Sequence, residues 1–214
     1  VMEILKKIAQ CLENGDEDAV PPLVRQAIEE GIVAKTILDE GLIAGMNTVG
    51  EKFRVHDIFL PDVLLAARAM YAGMDVLKPL LINAGVSSRG LVVIGSVQGD
   101  LHDIGKNLVG IMLKGAGFEV IDLGNDVSAE KFVAAAKSHE ASVIGMSALL
   151  TTTMPVMKEV VDLLKKENLC GRIKTIIGGA PVSQNYAVEI GADAYGYDCA
   201  QAVAGVKKLA ASAA

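Results

Sequence analysis

Apolar residues recur at three- and four-residue intervals through the first third of the chain and gather into short unbroken runs after it. The first pattern belongs to helices with one buried face, the second to strands covered on both sides. Residues 2–13 read as a first helix, stopped by Asn14-Gly15. A second begins near Asp16 to Asp18, carries Pro21 and Pro22 near its first turn and ends at Gly31. A third covers about residues 34–53, and a fourth starts with Pro61 as its first helical residue and runs to about Asn83. The short connections predict antiparallel neighbours in a four-helix bundle.

The pattern changes at Ala84-Gly85-Val86-Ser87-Ser88-Arg89-Gly90. This small, polar stretch predicts a boundary between a helical domain of residues 1–86 and a second domain of residues 87–214. Residues 91–96, 118–122, 142–147, 173–178 and 193–195 read as strands. Helical stretches alternate with them at residues 105–114, 128–138 (Ser128 as N-cap), 153–167, 182–190 and 199–210. Five strands alternating with helices predict a parallel sheet covered on both faces. Ligands of such sheets bind beyond the carboxyl ends of the strands.

Composition narrows the function classes. Hydrophobic residues make up 51% of the chain and mean hydropathy is +0.40, so core material is ample. Aromatics are only 4% and Trp is missing, which leaves Ala, Val, Ile, Leu and Met to fill the interior. The net charge of -6, with no long basic run, argues against nucleic acid as the main partner. No apolar run approaches the roughly 20 residues of a membrane span. Lys6, Lys7 and the acidic residues between Glu13 and Asp18 interrupt any leader-like pattern, so the expectation is a cytoplasmic protein without a membrane partner. Cys11, Cys170 and Cys199 are odd in number and widely spaced, which predicts reduced thiols rather than a disulfide framework, a zinc site or an iron–sulfur cluster.

The predicted strand ends carry the chemistry. Val97 to Asn107 follows the first strand, Ser147 to Thr153 runs on from the third, Gly178-Gly179-Ala180 from the fourth and Tyr195-Gly196-Tyr197 from the fifth. Asp100 and His102 share the first of these loops. A carboxylate on one ring nitrogen fixes the tautomer and strengthens the other nitrogen as a metal ligand; equally, Asp100 or Asp103 can cap the following helix. A phosphate-binding loop is excluded, because five residues separate Gly99 from Gly105 where the motif needs four, and Asn107 stands in place of its Ser or Thr. A closed zinc site lacks ligands. One strong protein ligand suits a metal that brings its other ligands with it.

Asp100-x-His102-x-x-Gly105, then Ser147-x-Leu149, then Gly178-Gly179, resembles the three-part signature of cobalamin-binding domains. Residues 53–70, including Phe59-Leu60-Pro61 and Ala66-Ala67-Arg68, resemble the helical bundle that precedes this domain in methionine synthase and in the corrinoid proteins of methyltransferase systems. The resemblance covers nearly the whole chain. It implies a flavodoxin-like (Rossmann-like) five-stranded domain binding cobalamin or a related corrinoid base-off, with His102 as the lower cobalt ligand. Asp100 would hydrogen-bond the far ring nitrogen, and Thr153 would extend that network. Asp103, Ile104 and Gly105 would meet the corrin, Gly105 allowing close approach. Ser147, Leu149, Thr151, Gly178 and Gly179 would line the slot for the nucleotide tail, although Gly178-Gly179 also reads as an ordinary strand-to-helix turn. Phe53 and Leu60 would shield the upper cobalt face, or else serve as bundle core, and a hinge would lie in residues 85–90.

The implied function is that of a carrier. It accepts a methyl group on Co(I) from a substrate-specific methyltransferase and passes it from methyl-Co(III) to a second methyltransferase with a thiol or tetrahydrofolate acceptor. A reductive activase is a further implied partner, and the chain is not expected to catalyse transfer alone. A proton taken up by the Asp100–His102 pair would stabilise the histidine when its bond to cobalt weakens. The alternative is a cobalamin-dependent sensor or regulatory protein. A mutase subunit shares the first loop but not the methyl-system bundle.

Overall fold

The computed structural model describes residues 2–84 and 88–212. Two compact units divide it, Val1–Ser87 with Gly115–Gly117, and Ser88–Lys114 with Phe118–Ala214. Residues 85–87, the centre of the predicted linker and hinge, lie outside the described residues.

The described part of the first unit up to residue 84 is helical. Helix α1 (Met2–Glu13) buries Ile4, Leu5, Ile8 and Leu12, an apolar stripe at helical spacing. Gly15 follows with φ +69, and a Cβ there would come within 2.6 Å of Leu65 Cβ, so both the turn and the packing require glycine. Helix α2 (Val20–Glu29) starts later than its pattern predicts, because Asp16 Oδ1 accepts the Ala19 N–H at 3.0 Å and the preceding residues form turns. The third predicted helix is one rod in three parts, α3 (Ala34–Thr36), a π-helical stretch Ile37–Ile43 and α4 (Ala44–Arg54). Helix α5 (Leu60–Asn83) begins one residue before Pro61, with Asp62 Oδ2 accepting the Phe59 N–H at 2.8 Å. Helix α1 packs against α2, α4 and α5, and α5 against α2 and α4, so four rods form the predicted bundle.

The second unit alternates strand and helix: β1 (Leu91–Ser96), α6 (Ile104–Gly115), β2 (Glu119–Asp122), α7 (Ala129–Ser138), β3 (Val143–Ser147), α8 (Pro155–Lys166), β4 (Lys174–Gly178), α9 (Gln184–Ile190), β5 (Ala194–Gly196) and α10 (Cys199–Ser212). All pairings are parallel, in the order β2-β1-β3-β4-β5. Side chains alternate across the sheet. Val93, Ile144, Met146 and Ile177 join Phe132, Met157, Val160 and Leu164 in one core on the α7–α8 side. Gly95 makes room there, since a Cβ on it would meet the Phe132 ring at 2.8 Å. On the opposite face Gly110 of α6 lies against Ile94 and Gly205 of α10 against Ile176. Ser128 and Ser183 cap α7 and α9 by accepting N–H groups from Lys131 and Tyr186. Among the described residues no helix is long and apolar enough to cross a membrane.

Gly45 tests the helical packing. Gly→Ala favours an exposed helix by about 1 kcal/mol, but a Cβ on Gly45 would stand 2.8 Å from the Ala9 carbonyl oxygen and 3.0 Å from its Cα. Backbone cannot give way as a side-chain tip does. Gly45→Ala is therefore expected to destabilise the helical unit by roughly 1–3 kcal/mol in urea denaturation; a stabilised variant would show that α1 moves freely.

Candidate functional site

Strand order reverses between β1 and β3, and this is where an open parallel sheet leaves a crevice at its carboxyl edge. The loops after these two strands are tied across that crevice. Val97 N–H donates to Ser147 C=O at 3.0 Å, and Asp100 reaches over to the β3 loop. The last residues of four strands are register neighbours in the row Ser96, Ser147, Gly178, Gly196, all small.

The β1 loop is built on a tight turn. Asp100 N–H donates to Val97 C=O at 3.0 Å with Gly99 at φ +82, the left-handed residue that a type II turn requires at its third position. Ser96, fully buried, donates from Oγ to the His102 carbonyl at 2.6 Å and closes the loop onto the strand end.

Asp100 is 0% exposed and fully engaged. Its Oδ1 accepts the His102 N–H at 3.0 Å and lies 2.8 Å from ring Nδ1. Its Oδ2 accepts from Leu149 N at 2.6 Å, Leu150 N at 3.2 Å and Thr153 Oγ1 at 3.1 Å. The Thr153 hydroxyl also lies 2.9 Å from Leu150 C=O, so its single proton serves one acceptor at a time. Burial pushes the Asp100 carboxyl toward the neutral form. The hydrogen bonds from Leu149, His102 and Leu150 overrule it and hold the group well below the ordinary value of 3.8. An ionised carboxylate accepts only, so Nδ1 of His102 carries a proton, and in the neutral ring Nε2 is the nitrogen with the lone pair. The His102 side chain is 55% exposed, and among the described residues Nε2 has no hydrogen-bond partner.

Asp100, His102, Leu149 and Thr153 therefore form one connected group. Ser147 pairs in register with Gly178, and Gly179 packs against the β3 loop: at φ +129, a Cβ there would fall 1.8 Å from the Ala148 carbonyl oxygen. Asp103 accepts the Asn107 N–H through its carbonyl at 2.7 Å, in the first turn of α6. Leu101, Ile104, Leu149 and Leu150 are exposed apolar side chains in these loops, and Thr151 is exposed beside them. Gly105 has nothing within 4 Å of where a Cβ would stand, so the packing of the chain itself does not demand glycine. Phe53 and Leu60 belong to the helical unit, near the end of α4 and at the start of α5, both half-buried. Among the described residues no group of three or more His, Cys, Asp or Glu side chains gathers as a metal-ligand set. Cys199, buried at the start of α10, has its thiol pushed up to about 11 by burial and by Asp198, which leaves it unreactive.

Sequence reasoning missed the residues behind the loop. Lys106 is buried, and its ammonium lies 2.7 and 2.5 Å from the two Asp122 oxygens and 2.7 Å from Asn107 Oδ1. Asn125 Nδ2 donates to Leu101 C=O at 3.1 Å, and Asp126 Oδ1 accepts the Gly99 N–H at 2.8 Å. The available signal was the polar end of an apolar run, Ser96 closing β1 and Asp122 closing β2 ahead of Asn125 and Asp126.

Two family profiles, both described as B12 binding domain, match residues 90–204 and 4–78. The chain is 46% identical over 210 residues to dimethylamine corrinoid protein 1 of Methanosarcina acetivorans, covering 98% of each. It is similar to a chain of the methanol:cobalamin methyltransferase complex of Methanosarcina barkeri, with TM-score 0.85 and 34% identity over 98% of this chain and 80% of that one. A cobalamin-binding protein of Desulfitobacterium hafniense DCB-2 matches with TM-score 0.80 and 35% identity over 96% and 98% of the two chains.

The Asp100 bonds set a pH dependence. Because the folded carboxyl is held below its ordinary value, its contribution to stability is full above about pH 4 and is lost as pH falls below the ordinary value of 3.8. Asp100→Asn removes this linkage and turns one acceptor oxygen into a donor facing other donors. The variant is expected to be less stable at pH 7 by about 2–4 kcal/mol, with the difference shrinking in acid, by chemical denaturation across pH.

Proposed function

We propose that this chain, which belongs to the family of B12-binding corrinoid proteins and takes a corrinoid cofactor, carries a methyl group on that cofactor between partner methyltransferases. The observation that carries the reading is the buried, fully bonded Asp100 that leaves His102 Nε2 free and half in solvent, as a single metal ligand.

The residues present fit the group. One imidazole donor suits a metal whose other ligands come with it in a macrocycle. The exposed apolar side chains of Leu101, Ile104, Leu149 and Leu150 suit a flat ring laid over the loops. The open space beside Gly105 suits close approach, and the small row Ser96, Ser147, Gly178 and Gly196 suits a slender tail at the strand ends. In this reading His102 ligates cobalt through Nε2, and Asp103, Ile104, Gly105, Leu149 and Thr151 line the ring. Ser147, Gly178 and Gly179 line the tail, and residues 87–214 form the binding domain. Residues 1–86 form a helical cap domain, to which Phe53 and Leu60 belong.

When bound, the corrinoid supplies a cobalt centre that accepts and releases a methyl group. The chain's own residues set what the histidine would offer the metal. Asp100 keeps the ring in one tautomer and one orientation, while Thr153, Leu149 and Leu150 keep Asp100 ionised. The carrier works with a substrate-specific methyltransferase, a second methyltransferase acting on a thiol or tetrahydrofolate, and a reductive activase. It needs those partners for catalysis. Its three free cysteines suit the reducing cytoplasm in which we place it.

The test is the ultraviolet–visible spectrum after loading with hydroxocobalamin and desalting, with His102→Ala and Asp100→Asn in parallel. The wild type is expected to retain the corrinoid. His102→Ala is expected to change the cobalt spectrum, and Asp100→Asn to weaken ligation roughly 10–100-fold. A wild type that retains no corrinoid under conditions that load a known binder would overturn the reading.

A further inference from the structure

We infer that Asp126 is a positioning residue for His102, its carboxylate holding the β1 loop in the turn that aims the imidazole. The inference rests on reading His102 as the cobalt ligand.

Asp126 lies in the loop between β2 and α7 with φ +54, a left-handed conformation that costs free energy for a residue with a Cβ. In that conformation it grips the neighbouring loop twice. Its Oδ1 accepts the Gly99 N–H at 2.8 Å, and its own N–H donates to the Asp100 carbonyl at 3.1 Å. Asn125 adds a third tie, from Nδ2 to the Leu101 carbonyl at 3.1 Å. Backbone groups of three consecutive residues, Gly99, Asp100 and Leu101, are thus held by two consecutive residues of the next loop. Asn125 Oδ1 is buried without a partner, a cost borne while the other end of the same amide holds the Leu101 carbonyl.

The Gly99 N–H belongs to the central peptide of the Val97–Asp100 turn, the peptide that turns over between type I and type II geometry. A fixed carboxylate on one side of it selects the type II form. The residue after that glycine is Asp100, whose Oδ1 carries both the His102 N–H and the ring. A turned-over peptide at Gly99 would displace Asp100 and the imidazole with it.

Folding does not need the Asp126 side chain for its own sake. The β2–α7 loop is already fastened beside β1 by Ser96 N–H to Gly124 C=O, Val127 N–H to Ser96 C=O, both at 3.0 Å, and the Val97–Val127 bridge. The Lys106–Asp122 pair fixes the start of the loop, with Asp122 Oδ1 also accepting the Gly124 N–H at 2.9 Å. What the Asp126 carboxylate adds is confined to Gly99.

Two variants separate side chain from backbone. Asp126→Gly keeps the left-handed conformation without strain and keeps the N–H bond to Asp100, losing only the carboxylate. Asp126→Asn keeps an acceptor and tolerates the conformation. Hydrogen exchange at the Gly99 amide in the cofactor-free protein reads the turn. Nitrogen superhyperfine splitting in the electron paramagnetic resonance spectrum, after loading with hydroxocobalamin and reduction to Co(II), reads the share of cobalt bound to histidine. Asp126→Gly is expected to exchange Gly99 roughly tenfold faster and to lower the histidine-bound share at equal corrinoid content. Asp126→Asn is expected to restore both. Unchanged exchange, or faster exchange with an unchanged histidine-bound share, would overturn the inference. Failure of the underlying reading looks different: the wild type lacks the nitrogen splitting, or His102→Gln retains it.

Discussion

A buried carboxylate must be satisfied where it stands, and Asp100 stands where the sheet reverses its strand order. Taken out of water without partners, the charge would be lost to protonation. Here it is kept by donors from two separate strand ends, His102 on its own loop and Leu149, Leu150 and Thr153 on the β3 loop. The crevice between β1 and β3 is thereby stapled at its mouth. The staple also decides the state of the histidine, because an acceptor-only group on Nδ1 leaves Nε2 as the outward lone pair. One electrostatic requirement thus joins the two loops and fixes the orientation of the imidazole.

Two further layers stand behind that staple. Ser96 at the end of β1 takes the His102 carbonyl, and the β2 loop takes Gly99, Asp100 and Leu101 from the other side. The parallel order β2-β1-β3 makes both approaches possible, since the loop after β1 has a neighbour on each flank. The glycines serve the same geometry. Gly99 permits the turn and Gly179 permits the β4 end to pass Ala148, while Gly105 leaves a space that none of the described residues fills.

Much of this was legible in the residues. Unbroken apolar runs marked the strands to within a residue or two, Ser128 was recognisable as a cap, and the four helical rods and the five-stranded parallel sheet follow the predicted order. Asp100 and His102 stood out because their types and spacing carry chemistry. The π-helical stretch Ile37–Ile43 did not, since its residues repeat the same apolar pattern as the helices on either side of it. Asn125, Asp126 and Lys106 were passed over for a different reason. Their partners are backbone groups or acids 16 to 27 residues away, brought near by strand order and register. Periodicity along the chain reports which face a residue takes; it does not report which loop comes to lie beside it.

In the proposed reading, retention of the corrinoid and ligation of its metal would be separable. Each large aliphatic side chain removed from water contributes roughly 1.5–3 kcal/mol when fully covered, and Leu101, Ile104, Leu149 and Leu150 are exposed in the site loops. In the proposed reading, even partial coverage of these four by the corrinoid would supply several kcal/mol that owe nothing to His102. The bond from His102 would then be free to be weak without loss of the cofactor, which would suit the proposed carrier role. On the same reading the polar contacts of the loops would serve to aim a single nitrogen, while the apolar side chains would hold the ring.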